Sequence, residues 1–166
     1  ENQYGFSLEQ IRQEYPSYGT TDYRLPAVEI AQENGSRITD FTYVSHRIYA
    51  GKPKLSGLPA TYVEEDREAD TLEILLMDEL IGVEMTLLYT IFAGENAVAR
   101  SVRFRNYKDE KLQIETAMSL SLDLPDADYE WIQFSGAWSR ERYVKERRLQ
   151  QGVQSVGSLR GASSHI

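Results

Sequence analysis

Carboxylates are the most abundant groups in this sequence that could do chemistry. Asp126-Ala127-Asp128-Tyr129-Glu130 sets acids at i, i+2 and i+4. In a loop such oxygens can converge on Ca²⁺, but the glycine and closing bidentate glutamate of a calcium loop are missing. A solvated loop with turn-forming aspartates is the favoured reading, and no metal site is expected. Glu64-Glu65-Asp66 and Asp78-Glu79 read as turns and strand ends. Acetal cleavage needs two carboxylates about 5 to 9 Å apart, one with a raised pKa; the acids here suffice in number, yet no spacing selects a pair. The two histidines are His46, within a strand-like pattern, and His165. That leaves little room for a metal centre or a Ser-His-Asp triad, and a lone strand histidine reads as a packing or surface residue. The absence of cysteine excludes disulfide scaffolds, thiolate zinc sites and thiol nucleophiles, and fits a reducing compartment.

Two further groups of residues stand out. Tyr129, Trp131, Trp138 and Tyr143 fall within 15 residues. Aromatic faces stack on the C–H faces of sugars, but large aromatics more often fill a core or an interface. Tyr18-Gly19-Thr20-Thr21-Asp22-Tyr23-Arg24 combines rigid aromatics with an arginine, as interface anchors do; an ordinary structured connection is the competing reading.

The elements that must position these residues follow from the pattern. Ser7 before Leu8 with Gln10 three residues on resembles a capping box, Leu8 and Ile11 share a face, and Tyr15-Pro16 stops the run. A short helix is expected from about Leu8 to Glu14. From Arg24 onward the period changes to 2. Asn34-Gly35 predicts a two-residue hairpin turn between a strand at Val28–Ile30 and a return strand from Arg37 to Tyr49, the latter covered on both sides over part of its length. Residues 51–59, with two glycines and two prolines, form a loop. Strands are expected at Thr61–Asp66, Thr71–Met77, Val83–Phe92 and Ala97–Arg105. Leu112, Ile114, Met118, Leu120 and Leu122 then form the cleanest half-buried alternation, with Leu120 in the core. Two more strands are expected at Tyr129–Ser135 and Arg140–Gln150, the last highly charged and exposed.

Eight or nine strands at roughly ten-residue spacing make an all-β chain with antiparallel sheets stacked as a sandwich. The 166 residues are 41% hydrophobic and 27% charged, near globular values. No apolar run approaches the roughly 18 residues of a membrane span, so no membrane partner is expected. A net charge of −8 gains nothing from counterion release, so no nucleic-acid partner is expected either. The chain opens at Glu1 and closes at Ser164-His165-Ile166 without a closing element, and both ends read as cut.

The run Tyr15-Pro16-Ser17-Tyr18-Gly19-Thr20-Thr21-Asp22-Tyr23-Arg24-Leu25-Pro26-Ala27 resembles the N-terminal domain of bacterial α-galactosidases of glycoside hydrolase family 36. The similarity continues through His46-Arg47-Ile48-Tyr49, Gly51-Lys52-Pro53 and Gly57-Leu58-Pro59-Ala60-Thr61-Tyr62-Val63. It resumes at Asp128-Tyr129-Glu130-Trp131-Ile132, Gly136-Ala137-Trp138 and Arg160-Gly161-Ala162-Ser163-Ser164-His165. Together these cover nearly the whole chain in order.

The resemblance implies an antiparallel β-supersandwich, with residues 1–166 forming one partial domain that packs on a (β/α)₈ catalytic barrel absent from this chain. It implies a cytoplasmic parent enzyme that hydrolyses terminal α-linked galactose from oligosaccharides such as melibiose and raffinose, with two barrel aspartates as nucleophile and acid/base. No residue here matches either aspartate motif, so no catalytic residue and no cofactor are assigned. The expected partners are the barrel, copies of the parent in a homo-oligomer, and α-galactoside oligosaccharides. In such oligomers an N-terminal-domain loop reaches a neighbour's active site, which makes Tyr18, Asp22, Arg24, Trp131 and Trp138 candidates for substrate access or domain interfaces. A free-standing carbohydrate-binding module using Trp131 and Trp138 is the alternative; a mutarotase-like enzyme, needing histidine–carboxylate pairs in one cleft, is disfavoured by the histidine count.

Overall fold

The computed structural model describes residues 11–19, 23–57 and 60–158. The chain forms two compact units, residues 1–123 and 124–166.

Among the described residues, unit 1 holds six strands: β1 (Val28–Gln32), β2 (Thr42–Ala50), β3 (Ala69–Asp78), β4 (Val83–Phe92), β5 (Val98–Asn106) and β6 (Leu112–Ala117). β2-β3-β4-β5 form a four-stranded antiparallel meander, and β1 pairs antiparallel with β6 in a two-stranded sheet. Cross-strand register places Ile74, Leu87 and Val102 in one row and Leu76, Met85 and Phe104 in the next. This face meets Val28 and Ile30 of β1 and Leu112 of β6, so the two sheets bury their apolar sides against each other. The opposite face of the meander mixes apolar and polar residues and is covered in part: Leu88 is buried, the Thr71 and Thr90 hydroxyls lie 2.8 Å apart, and Thr71 donates to the Gly51 carbonyl.

The β3–β4 turn is organised by one carboxylate. Asp78 accepts from the backbone N–H groups of Leu80, Ile81 and Asp40, while Gly82, at φ +72°, closes the turn with a bond to the Asp78 carbonyl. Its positive φ suits glycine, and Lys108 lies where a Cβ would project. Asp78-Glu79 is thus the turn expected of it.

Unit 2 contains the hairpin β7 (Glu130–Ala137) and β8 (Arg140–Arg148), joined by Trp138 and Ser139. The charged segment is a strand with every residue exposed, as expected.

Several expectations do not survive. Residues 11–14 are not helical, and 8–10 lie outside the described residues; the helical content described is a single 3₁₀ turn, Asp66–Glu68. A seven-residue helix is too short to hold itself together, and here tertiary bonds to residues 11 and 13 take its place. Asn34-Gly35 does turn the chain, with Gln32 N–H bonded to the Ser36 carbonyl at 2.9 Å, but β1 pairs with β6 rather than with the returning residues 37–41. Those residues are irregular because Arg37 is drawn to Glu29 and Glu115 across the β1–β6 sheet. β2 is an exposed edge strand, not one covered on both sides. No strand forms at Thr61–Asp66. The alternation after Leu112 stops being a strand at Ala117, and Leu120 is 48% exposed, not core; no described partner strand continues beyond β1's five residues to pair it.

Candidate functional site

The first candidate region is the connection leading into β1. Tyr18 is tied by its backbone, donating to the Val28 carbonyl and accepting from Thr39 N–H at 3.2 Å, while its ring stays exposed. Arg24 turns inward. Its guanidinium pairs with Asp123 and donates to the Ile11 carbonyl at 2.8 Å, and Asp123 also accepts from Gln13 N–H at 3.0 Å. Arg24 is therefore a clamp joining three stretches of chain, and the flanking Tyr23 and Leu25 face solvent. Asp22 lies outside the described residues.

The second region is the β7–β8 hairpin. Trp131 is half-buried beneath the Arg147 guanidinium, 4.8 Å from its ring, a cation–π contact. Trp138 sits in the turn and is 78% exposed. Trp131 is the second residue of β7 and Trp138 follows its end, so at about 3.3 Å per residue they stand roughly 20 Å apart. They do not form one stacking platform. Tyr143 faces Ser135 on the partner strand, and Tyr129 donates to the Pro125 carbonyl.

Other groups weighed from the sequence are peripheral. Asp128 pairs with Arg148 at 2.6 Å. Among the described residues no three His, Cys, Asp or Glu side chains are grouped to hold a metal ion. His46, on the exposed edge strand, is hydrogen-bonded to the Tyr43 hydroxyl.

Sequence reasoning missed two networks. Glu14 accepts from the Tyr89 hydroxyl at 2.9 Å and pairs with Arg100 at 2.7 Å, and Arg100 also lies over the Tyr89 ring. Burial, followed by the bond to the Glu14 carboxylate, pushes the Tyr89 phenol up to about 12. On the other face of the meander, the buried Glu73 carboxylate is bracketed by Arg47 and Arg103. Glu14, Tyr89 and Arg100 are far apart in sequence, so no local pattern signals them; the period-2 register of β4 and β5 does bring Tyr89 opposite Arg100.

These features define an all-β, antiparallel domain whose inward-turned charges serve architecture. The glycosyl hydrolase family 36 N-terminal domain matches residues 1–166, and the chain belongs to that family. It is 56% identical over 160 residues to α-galactosidase AgaA of Geobacillus stearothermophilus and 41% identical over 160 residues to α-galactosidase 1 of Pediococcus pentosaceus. Each alignment takes 96% of this chain and 22% of the relative. Among solved structures, an AgaA variant in complex with raffinose matches at a TM-score of 0.91 and 56% identity, over 96% of this chain and 22% of that one. The Lactobacillus brevis α-galactosidase matches at 0.88 and 42% identity, over 93% and 21%. The chain thus spans about a fifth of the length of these relatives.

Proposed function

We propose that this chain is the non-catalytic N-terminal domain of an α-galactosidase that releases terminal α-linked galactose from oligosaccharides such as melibiose and raffinose. Chemistry would reside in a (β/α)₈ barrel outside this chain. The domain would be part of a β-supersandwich that supports oligomerisation and lends exposed side chains such as Tyr18 and Trp138 to a substrate-entry wall. The observation that carries the reading is 56% identity to AgaA across nearly the whole chain; the raffinose complex of an AgaA variant supports the substrate class.

The test compares two proteins on an aryl α-galactoside: the 166-residue chain, and a protein in which this chain is continued by its own downstream coding region. The longer protein is expected to hydrolyse the substrate and the chain alone is not. Inactivity of the longer protein on every α-galactoside tried would overturn the reading. So would hydrolysis by the chain alone that one acid-to-amide substitution within it abolishes. Saturable binding of galactosides by the chain alone, lost on Trp138→Ala, would favour a carbohydrate-binding module instead.

A further inference from the structure

We propose that residues 11–18 form a strap that docks and undocks as one unit, held by two carboxylate clasps, and that its release frees Tyr18 and Arg24 while the four-stranded sheet stays folded. Only the importance of that release rests on the proposed interface role of those two residues; the strap itself is argued from the geometry below.

The strap crosses the seam between β1 and the segment after β6. Its first clasp is Asp123, which takes Gln13 N–H and the Arg24 guanidinium, while the same guanidinium holds the Ile11 carbonyl. Its second clasp is the Glu14 carboxylate, held by Arg100 and by the Tyr89 hydroxyl; Arg100 also reaches the Ser121 carbonyl. Backbone bonds complete the attachment. The Pro16 carbonyl accepts from Ala27 and Val28 N–H, Tyr18 N–H donates to the Val28 carbonyl, and Thr39 N–H donates to the Tyr18 carbonyl. The Tyr15 hydroxyl donates to the Met118 carbonyl at 2.6 Å.

Apolar attachment is slight by comparison. Within the strap Tyr15 packs against the buried core cluster and Pro16 is buried, whereas Ile11, Arg12 and Glu14 are exposed. Segments held mainly by polar bonds, with few buried apolar contacts, open at free energies well below global unfolding. The clasps also share parts. Arg24 connects the strap to the chain entering β1, so losing Asp123 loosens both ends of the 11–24 segment. Arg100 and Tyr89 belong to the central sheet and stay in place when the strap leaves. That asymmetry makes the sheet a fixed seat and the strap the moving part.

Hydrogen exchange on the 166-residue chain tests this through five amides whose bonds exist only when the strap is docked: Gln13, Tyr18, Ala27, Val28 and Thr39. They are expected to exchange together, at least about tenfold faster than the Met85 and Leu87 amides in the centre of β4. Glu14→Gln and Asp123→Asn should each speed all five by about tenfold, the scale of losing a charged hydrogen bond, with β4 unchanged. Raising the salt concentration should act in the same direction, because the Glu14 clasp is solvent-accessible. Exchange of the five at the β4 rate, independent rates among them, or variants that speed β4 equally would each overturn the strap. None of these outcomes depends on α-galactosidase activity, which the assay of the longer protein reads separately.

Discussion

Unit 1 and unit 2 are both antiparallel β, yet they are built on opposite balances. Every described hydrophobic residue that is fully buried, from Ala27 to Leu88, lies in unit 1. There β1 and β6 cap the meander and seal Ile30 and Met85 to 1% exposure. In unit 2 the apolar residues of the hairpin are open: Ile132 and Phe134 are 60% and 63% exposed, and Val144 opposite Phe134 is open too. Sheets bury apolar area only against a second layer, and an isolated two-stranded hairpin is marginal in water. Alternation alone therefore does not make a core.

The comparison can be broken most forcefully at Met85. Met85→Ala should destabilise unit 1 by about 2 to 5 kcal/mol in denaturant melts, the usual cost of emptying a sealed site. A loss under about 1 kcal/mol would show that the seam between the sheets is loose. Asp78→Ala comes next, at about 2 kcal/mol, because three backbone N–H groups lose the buried Asp78 carboxylate as their acceptor; Asp78→Asn should recover part of the loss, since one amide oxygen remains.

A smaller, pH-dependent effect sharpens the contrast. The Tyr89 phenol is raised in the folded protein, so its neutral form is favoured there. Its contribution to stability is complete below the ordinary tyrosine value near 10 and disappears as pH rises through about 12. Tyr89→Phe should flatten the alkaline loss of stability in that window, leaving the part carried by Tyr15, Tyr49 and Tyr107, which burial also raises. Identical alkaline profiles for the two proteins would contradict this. Smallest of all is Phe134→Ser in the hairpin. It should change the melt of unit 1 by no more than about 0.5 kcal/mol, as for other surface substitutions.

Much of the fold was legible in the residues. Val83–Phe92 is the strand its pattern predicts, Thr71–Met77 and Ala97–Arg105 match β3 and β5 to within two residues at either end, and the charged Arg140–Arg148 strand was recognisable from its lack of a helical stripe. What failed were the short helix, the strand at Thr61–Asp66, and several pairings and burials. Asn34-Gly35 specifies a turn, but turn chemistry does not specify which strand will lie alongside, and β6 took that place. Leu120 satisfies the period-2 rule and still faces solvent, because burial depends on a covering layer that the alternation does not encode. Of the candidate site, the composition of the Tyr18–Arg24 stretch singled out Tyr18 and Arg24. The inward role of Arg24 was not visible there, since its partner Asp123 is 99 residues away.

The account centres on a sealed core in unit 1 and an open hairpin in unit 2, and the protein carries its own probe for that difference. Both tryptophans, Trp131 and Trp138, lie in the hairpin region, so tryptophan fluorescence reports unit 2 alone, while far-UV circular dichroism is dominated by the six strands of unit 1. A denaturant titration followed by both signals is expected to give two separate transitions, with fluorescence changing first and broadly and circular dichroism later and cooperatively. A single coincident transition would contradict the account, because it would mean that the hairpin and the core fold as one unit.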